Sequence, residues 1–271
     1  MRKACNNSLI QMEKLMLDST LEKRLSDIMN NRGKKIQMLS DEFIKNPDCL
    51  KYETEITRLA VIVKSLEKTK AYYNHLRISD KIFYDTMSDI RIWCENSGNK
   101  GLNHYEWLSH HIKGELFRIG RLQYQPYICK TKALDYDRLP LSYGETVMYI
   151  HIPQGEKLLF EDCRASMNMA REFFKTYFPD FAYRYFFCES WLLFNGNSSF
   201  MNADSNIMKF SSLFQIVYSD FDDTQAIERI FGKAESNIDN YPEKTSLQKA
   251  AKKYMRDGNS LGTGIGLIAV S

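Results

Sequence analysis

The chain has 271 residues, of which 44% are hydrophobic and 26% are charged. This composition is typical of ordinary globular proteins and excludes disordered and collagen-like chains. Its 37 lysines and arginines against 34 aspartates and glutamates leave a formal net charge of only +3, which argues against a dedicated nucleic-acid-binding protein. At roughly 100–200 residues per domain, the length predicts two modest domains or one domain with an extension.

The cysteines and histidines give no sign of a disulfide scaffold or a metal site. Six cysteines without any C-x-x-C pair predict reduced thiols in a cytoplasmic protein. The adjacent residues His110 and His111 diverge by about 100° on a helix, so they are not expected to chelate one metal. No apolar run approaches the ~20 residues that span a bilayer, and 1–10 lacks the apolar core of a signal peptide. We therefore expect a soluble protein with neither a metal nor a membrane partner.

The first part of the chain has a helical pattern. From Ser8 to about His111, apolar residues recur at steps of three or four, and strand signals are absent. The sequence at 46–48 (Asn-Pro-Asp) predicts the start of a long helix, 79–80 (Ser-Asp) the start of another, and 102–112 a short one. These features predict an all-helical N-terminal domain over residues 1–113.

After Gly114 the apolar period changes from 3.6 to about 2. Residues 115–125 predict two strands, or one bent strand, that meet near Gly120. A second domain is therefore predicted over residues 114–271. Strands alternate with helices along it, which predicts a mixed sheet flanked by helices. The predicted strands are 147–152, 183–188, 214–218 and 263–270, and the predicted helices are 161–178, 224–232 and 245–256.

Two polar residues at predicted strand ends could carry acid–base chemistry. Glu189 follows a dense aromatic strand, where ligands of open α/β sheets gather, and aromatic neighbours could raise its pKa. It could equally be a solvated residue at the end of its strand. His151 lies in the strand 147–152 and is either a polar-face residue or an acid–base group. Cys188 is expected to be a core residue rather than a nucleophile.

Three further motifs have structural interpretations. The glycines of 262–266 precede a terminal strand and no helix, so they predict a bulge or close backbone approach, not a dinucleotide site. The acidic pair Asp222-Asp223 is better explained as a helix cap than as a catalytic dyad. The strand, turn and helix over 147–163 are arranged as in an anion site, although such turns are common.

A set of motifs in a fixed order resembles a known family. The segments are Asp85–Ile90, Gly101-Leu102, Trp107-Leu108, Gly114–Tyr124, Ile150–Gly155, Cys188–Leu193 and Asp204–Ile207. Together they resemble the bacterial acyltransferase domain-containing proteins, which join a helical N-terminal domain to a GNAT-like C-terminal domain. The resemblance implies an α+β or α/β fold, with an all-helical domain followed by a GNAT-like mixed β-sheet domain flanked by helices.

The resemblance also implies a function and a set of site residues. Adjacent strands at 147–152 and 183–189 would splay apart and hold an acyl thioester, with acyl-CoA or acetyl-CoA as co-substrate. A small-molecule amine or peptide acceptor would attack it directly. His151 and Glu189 would be acid–base candidates, with Ser190 and Asn206 as polar supports near the thiolate. The turn for the CoA pyrophosphate would be formed by Ile152, Pro153, Gln154, Gly155, Glu156, Lys157 and Leu158.

The turn also leaves an alternative open. The usual GNAT turn has the pattern R/Q-x-x-G-x-G/A, of which this chain keeps only Gln154 and Gly155. A GNAT-derived module that lacks catalysis, and senses a ligand or binds a partner, would fit that departure.

Overall fold

The computed structural model describes residues 14–270, which form two units. The first unit contains the described residues up to 125, together with 152–156 and 169–178. The second contains 126–151, 157–168 and the described residues from 179 onward. The sequence prediction for residues 1–13, including the start of the helical pattern at Ser8, lies outside the described residues.

The first unit is mainly helical, as the sequence pattern predicts. One helix, α3, has five consecutive fully buried residues from Leu59 to Val63, so this part of the helix is enclosed by its neighbours on every side. It packs against α1, α2 and α5. The described α-helices that lie wholly within this unit are α1 (Ser19–Asn31), α2 (Gly33–Phe43), α3 (Glu55–Leu76), α4 (Asp80–Asn96) and α5 (Tyr105–Lys113).

The start of α3 differs from the sequence prediction. The segment from Asn46 begins only a short 3₁₀ helix, Pro47–Leu50, and α3 starts at Glu55. Asn46 accepts the Asp48 N–H at 3.2 Å, which closes a local turn that competes with a longer helix. Thr54 is the N-cap of α3, and its hydroxyl oxygen accepts the Thr57 N–H. The predicted cap at Ser79 is confirmed, since it accepts the N–H of Ile82.

Six strands form one mixed sheet in the order β1-β2-β3-β4-β6-β5. β1 and β2 form an antiparallel hairpin that turns at Gly120, whose φ of +67° favours glycine. β3 runs parallel to β4, whereas β6 is antiparallel to both β4 and β5. The strands are β1 (Phe117–Ile119), β2 (Leu122–Ile128), β3 (Thr146–His151), β4 (Tyr185–Ser190), β5 (Gln215–Asp220) and β6 (Thr263–Ala269).

The remaining helices connect the strands. The helix between β3 and β4 is α6 (Phe160–Tyr177), as predicted, and α7 (Asn206–Ser211) precedes β5. After β5 come α8 (Thr224–Phe231) and α9 (Ser246–Arg256), and α9 begins with a capping box between Thr245 and Gln248. The described cysteines are free thiols. Across residues 14–270, the helices are too short or too polar to cross a membrane.

Candidate active site

The two parallel strands of the sheet are paired over only part of their length. β3 and β4 align at Met148 with Phe186 and at Tyr149 with Phe187. β4 continues to pair with β6 on its other edge as far as Ser190 opposite Gly264. Within the described residues, no aligned pair of β3 and β4 follows Tyr149 and Phe187. The carboxyl ends of β3 and β4 are thus not paired with each other, at the edge where α/β sheets bind ligands.

His151 and Glu189 lie on the same face of the sheet. The rings of Tyr149 and Phe187 contact each other with centroids 5.0 Å apart, so these two side chains share a face. Side chains two residues apart on a strand point the same way, which places His151 on that face of β3 and Glu189 on that face of β4. The structure therefore brings both predicted acid–base residues to neighbouring strand ends.

The imidazole of His151 is held against an aromatic ring. It stacks on Tyr149 with centroids 4.2 Å apart and an angle of 21° between the planes. His151 itself is half-buried. The stacking restricts the orientation of the ring.

Glu189 has an environment that disfavours its charged form. Part of its surface is exposed, yet partial burial is the largest cause of a raised pKa, followed by the charges of Asp220 and Asp222. These aspartates are at and just after the end of β5, two strands away from β4 in the sheet. A carboxyl group with a raised pKa that solvent can still reach has the properties of a general base.

Three tyrosines surround Glu189 on this face. Burial is the main cause of the raised pKa values of Tyr127 and Tyr149, and the charge of Glu189 adds to both. For Tyr218, a hydrogen bond to Asp220 is the largest cause of the raised pKa, and Glu189 again contributes. These phenols are therefore protonated at neutral pH and are available as hydrogen-bond donors rather than as bases.

An apolar cluster lies beside these residues. The segment that contains Cys129, Leu134 and Leu141 packs against the inner residues of the strands, so the polar strand ends lie next to an apolar surface. The buried members of the cluster are Cys129, Leu134, Leu141, Val147, Phe187, Ile265 and Leu267.

The other two predicted polar residues have local structural roles. Ser190 is only 5% exposed, and its hydroxyl oxygen accepts the N–H of Leu192 at 3.2 Å, which caps a short 3₁₀ helix. By strand alternation it points to the opposite face from Glu189. Asn206 is the exposed first residue of α7, whose cap is Ser205. Their proposed contact with a thiolate stays a prediction.

The turn that follows β3 exposes most of its side chains. Pro153 is buried and Ile152 and Leu158 are half-buried, whereas the residues from Gln154 to Lys157 are exposed. Gly155 has a φ of +113°, a conformation that favours glycine. α6 begins at Phe160, and the amides of its first turn have no acceptors within the helix.

Two nearly buried arginines of the β1–β2 hairpin hold this turn. The guanidinium of Arg121, which is 6% exposed, donates to the Pro153 carbonyl at 3.0 Å and to the Glu156 carbonyl at 2.7 Å. Arg118 pairs with the Glu156 carboxylate at 3.2 Å. On the side-chain level, Asn96 donates to Gln154 at 2.9 Å.

Sequence reasoning identified Glu189 but missed most of its neighbours. The sequence signal for Tyr149 is its spacing of two residues from His151 in one strand, which places both side chains on the same face. The position of Asp220 near Glu189 depends on the order of the strands in the sheet, which the sequence does not show. Of the predicted capping pair, Asp222 accepts the N–H of Thr224 at 3.1 Å, whereas Asp223 is the N-cap residue of α8 and makes no side-chain cap hydrogen bond. Asp222 also has an electrostatic effect on Glu189 that the cap interpretation did not include.

The terminal glycines match the predicted close approach. A Cβ added to Gly264 would lie 2.1 Å from the carbonyl oxygen of Leu193. The backbone of β6 therefore lies directly against the segment after β4, and the glycines are structural.

Two family models match the chain in succession. Residues 11–114 match the N-acyltransferase N-terminal domain, and residues 116–268 match the GNAT-like C-terminal domain. Among curated proteins, none matches the chain.

Solved acyltransferase structures share the fold. One in complex with decanoyl-CoA and teicoplanin has a TM-score of 0.80 and 18% identity, over 97% of this chain and 88% of that chain. One in complex with CoA and 10C-teicoplanin has a TM-score of 0.81 and 17% identity, with the same shares covered. A mutant in complex with octanoyl-CoA has a TM-score of 0.80 and 18% identity, over 98% and 88%. The chain belongs to the acyltransferase family in which an N-acyltransferase N-terminal domain precedes a GNAT-like C-terminal domain.

Proposed function

We propose that this protein is an acyl-CoA-dependent N-acyltransferase that acts on a small-molecule amine or a peptide amine. The observation that carries the proposal is the position of Glu189. This carboxyl group with a raised pKa stands where β3 and β4 are no longer paired, in a chain of an acyltransferase family.

The reaction is a direct transfer. The acceptor nitrogen attacks the thioester carbonyl carbon, and the resulting tetrahedral centre collapses with cleavage of the carbon–sulfur bond. The amine loses one proton to a base, and the CoA thiolate leaves and gains a proton. Backbone N–H groups near the end of β3 polarise the carbonyl oxygen. Catalysis comes mainly from placing the two reactants together.

Glu189 is the proposed general base and His151 the proposed orienting or alternative acid–base group. The raised pKa of Glu189 brings its proton affinity closer to what proton transfer at neutral pH requires. The negative charges of Asp220 and Asp222 also attract an ammonium acceptor before it loses its proton. The neutral phenol of Tyr149 is available as a donor on the same face.

The co-substrate is proposed to bind after β3. The turn from Ile152 to Leu158 and the start of α6 offer backbone amides to a pyrophosphate, and the apolar cluster beside β3 and β4 suits an acyl chain. The structural neighbours that hold CoA, octanoyl-CoA or decanoyl-CoA support this choice, and those that hold teicoplanin support a small-molecule acceptor.

The second candidate function is a ligand-sensing or partner-binding module without catalysis. The observation that favours it is the turn, in which Gly155 is the only glycine. Such a module could bind CoA but would not release it from an acyl thioester in the presence of amines.

A turnover assay distinguishes the two functions in the wild type, and Glu189→Gln then tests the general base. With octanoyl-CoA and a panel of amines that includes teicoplanin as a probe, thiol release measures turnover. We expect Glu189→Gln to lower kcat at least about 100-fold, which is the range for loss of a general base. The exposed Glu228 on α8 gives the matched control, since Glu228→Gln should leave turnover unchanged. Full activity in Glu189→Gln would show that Glu189 is not the general base. If the wild type bound octanoyl-CoA but released no thiol with any of the amines, the non-catalytic module would be favoured.

A further inference from the structure

The backbone of the turn after β3 accepts two hydrogen bonds from a nearly buried arginine. The turn contains a single glycine, Gly155, and a side chain of the β1–β2 hairpin holds its backbone. That side chain is Arg121, whose nearly buried guanidinium donates to the carbonyls of both Pro153 and Glu156. We propose that Arg121, supported by Arg118, is a positioning residue that aims the amides of this turn at the CoA pyrophosphate; the inference rests on the proposed function.

Peptide geometry links the carbonyls to the amides. In a trans peptide the C=O and the N–H point in opposite directions, and the peptide bonds of the turn are trans. Pro153 shares a peptide with the N–H of Gln154, and Glu156 shares one with the N–H of Lys157. Since both carbonyls point at Arg121, both amides point away from it. A planar guanidinium with several donors fixes two carbonyls at once.

Arg118 pairs with Glu156, the one negatively charged side chain of the turn. It pairs with the Glu156 carboxylate at 3.2 Å and donates to Ser88 at 3.1 Å. The positive charge of Arg118 therefore reduces the repulsion between the Glu156 carboxylate and a bound pyrophosphate. Both arginines lie in the β1–β2 hairpin, within the segment Gly114–Tyr124.

The inference is tested by comparing a ligand that has the pyrophosphate with one that lacks it. Calorimetric Kd values are measured for octanoyl-CoA and octanoyl-pantetheine on the wild type and on Arg121→Lys, which keeps the charge but loses the planar fork. We expect the Kd for octanoyl-CoA to rise about tenfold, equivalent to ~1.4 kcal/mol. The Kd for octanoyl-pantetheine should change less than about twofold. Arg138→Lys, at an exposed site, is the control.

The outcomes are distinguishable. An equal loss for both ligands would mean that Arg121 is merely structural, and unchanged Kd values would also overturn the inference while leaving the proposed function intact. A wild type that binds no octanoyl-CoA would overturn both.

A second measurement needs no variant and covers the case in which Arg121→Lys does not fold. Amide hydrogen exchange of the wild type should slow at Gln154 and Lys157 when octanoyl-CoA is added, but not when octanoyl-pantetheine is added. Unchanged exchange at both amides with saturating octanoyl-CoA would contradict the inference.

Discussion

Glu189 acquires its chemistry from residues that are distant in the sequence. Its own strand supplies partial burial, while Asp220 and Asp222 supply negative charge from the end of β5. Each of these effects favours the protonated carboxyl group. The charge of Glu189 in turn raises the pKa values of Tyr149 and Tyr218. The candidate site is therefore a set of charged and polar groups that interact electrostatically rather than one carboxylate.

Removal of one aspartate should shift the pH dependence of the reaction. Asp222→Asn takes away a negative charge that raises the pKa of Glu189, so the pKa of Glu189 should fall. A general base must be ionised, and the acidic limb of the pH–rate profile should therefore move to lower pH. The shift should be largest at low ionic strength, because salt screens charges near the surface. A limb that stays in place or moves to higher pH would contradict the role of Glu189 as base.

At the scale of elements, two adjacent histidines on α5 show how strongly position decides the role of a side chain. His110 is partly exposed and bonds to Glu115 at 2.8 Å. His111 is fully buried and contacts Asp89 on α4 at 3.1 Å. Burial would raise the pKa of Asp89, but hydrogen bonds from His111, Gln123 and Trp107 outweigh burial and hold it below 3.8. The predicted divergence of the two histidines is thus observed, whereas the buried partner Asp89 was not foreseen.

The buried pair should stabilise the helical unit. We expect Asp89→Asn to lower the free energy of unfolding by about 3 kcal/mol, since it breaks a buried, hydrogen-bonded charge. Because the pKa of Asp89 is lowered in the folded state, its contribution is complete above 3.8 and is lost as the pH falls through the lowered value. Urea unfolding at neutral and acidic pH measures both effects.

Glu115→Gln is the matched control for that experiment. Its carboxylate also faces a histidine, but on the surface, so the loss should be less than about 1 kcal/mol. Equal losses in the two variants would show that burial of the Asp89 pair is not what matters.

The close approach of β6 gives a second prediction for an element. A Cβ at Gly264 would lie 2.1 Å from the carbonyl oxygen of Leu193, so Gly264→Ala should cost about 1–3 kcal/mol or more through overpacking. At Gly33, a Cβ would meet nothing within 4 Å, and Gly33→Ala in α2 should stabilise the protein by up to about 1 kcal/mol. Denaturant midpoints measure both changes, and a neutral Gly264→Ala would refute the packing of β6 described above.

For the whole molecule, local patterns in the sequence predict the order of elements well. Apolar spacing predicts the helices up to α5 and the strands after Gly114, because period depends on neighbours in the chain. The predicted start of α3 at 46–48 is wrong, since Asn46 forms a local turn there and does not begin the long helix. Contacts between distant segments could not be read in the same way. Neither the approach of Asp220 to Glu189 nor the grip of Arg121 on the turn leaves a local pattern.

The central claim is that the protein uses an acyl-CoA, and calorimetric titration with acetyl-CoA, octanoyl-CoA and decanoyl-CoA tests it most directly. The account predicts saturable binding to one site per chain for at least one of these thioesters. It also predicts a melting temperature that rises with the concentration of the bound thioester, because the ligand binds only the folded state. If the folded protein gave no saturable heat with any of the three, the proposed acyltransferase function would be contradicted.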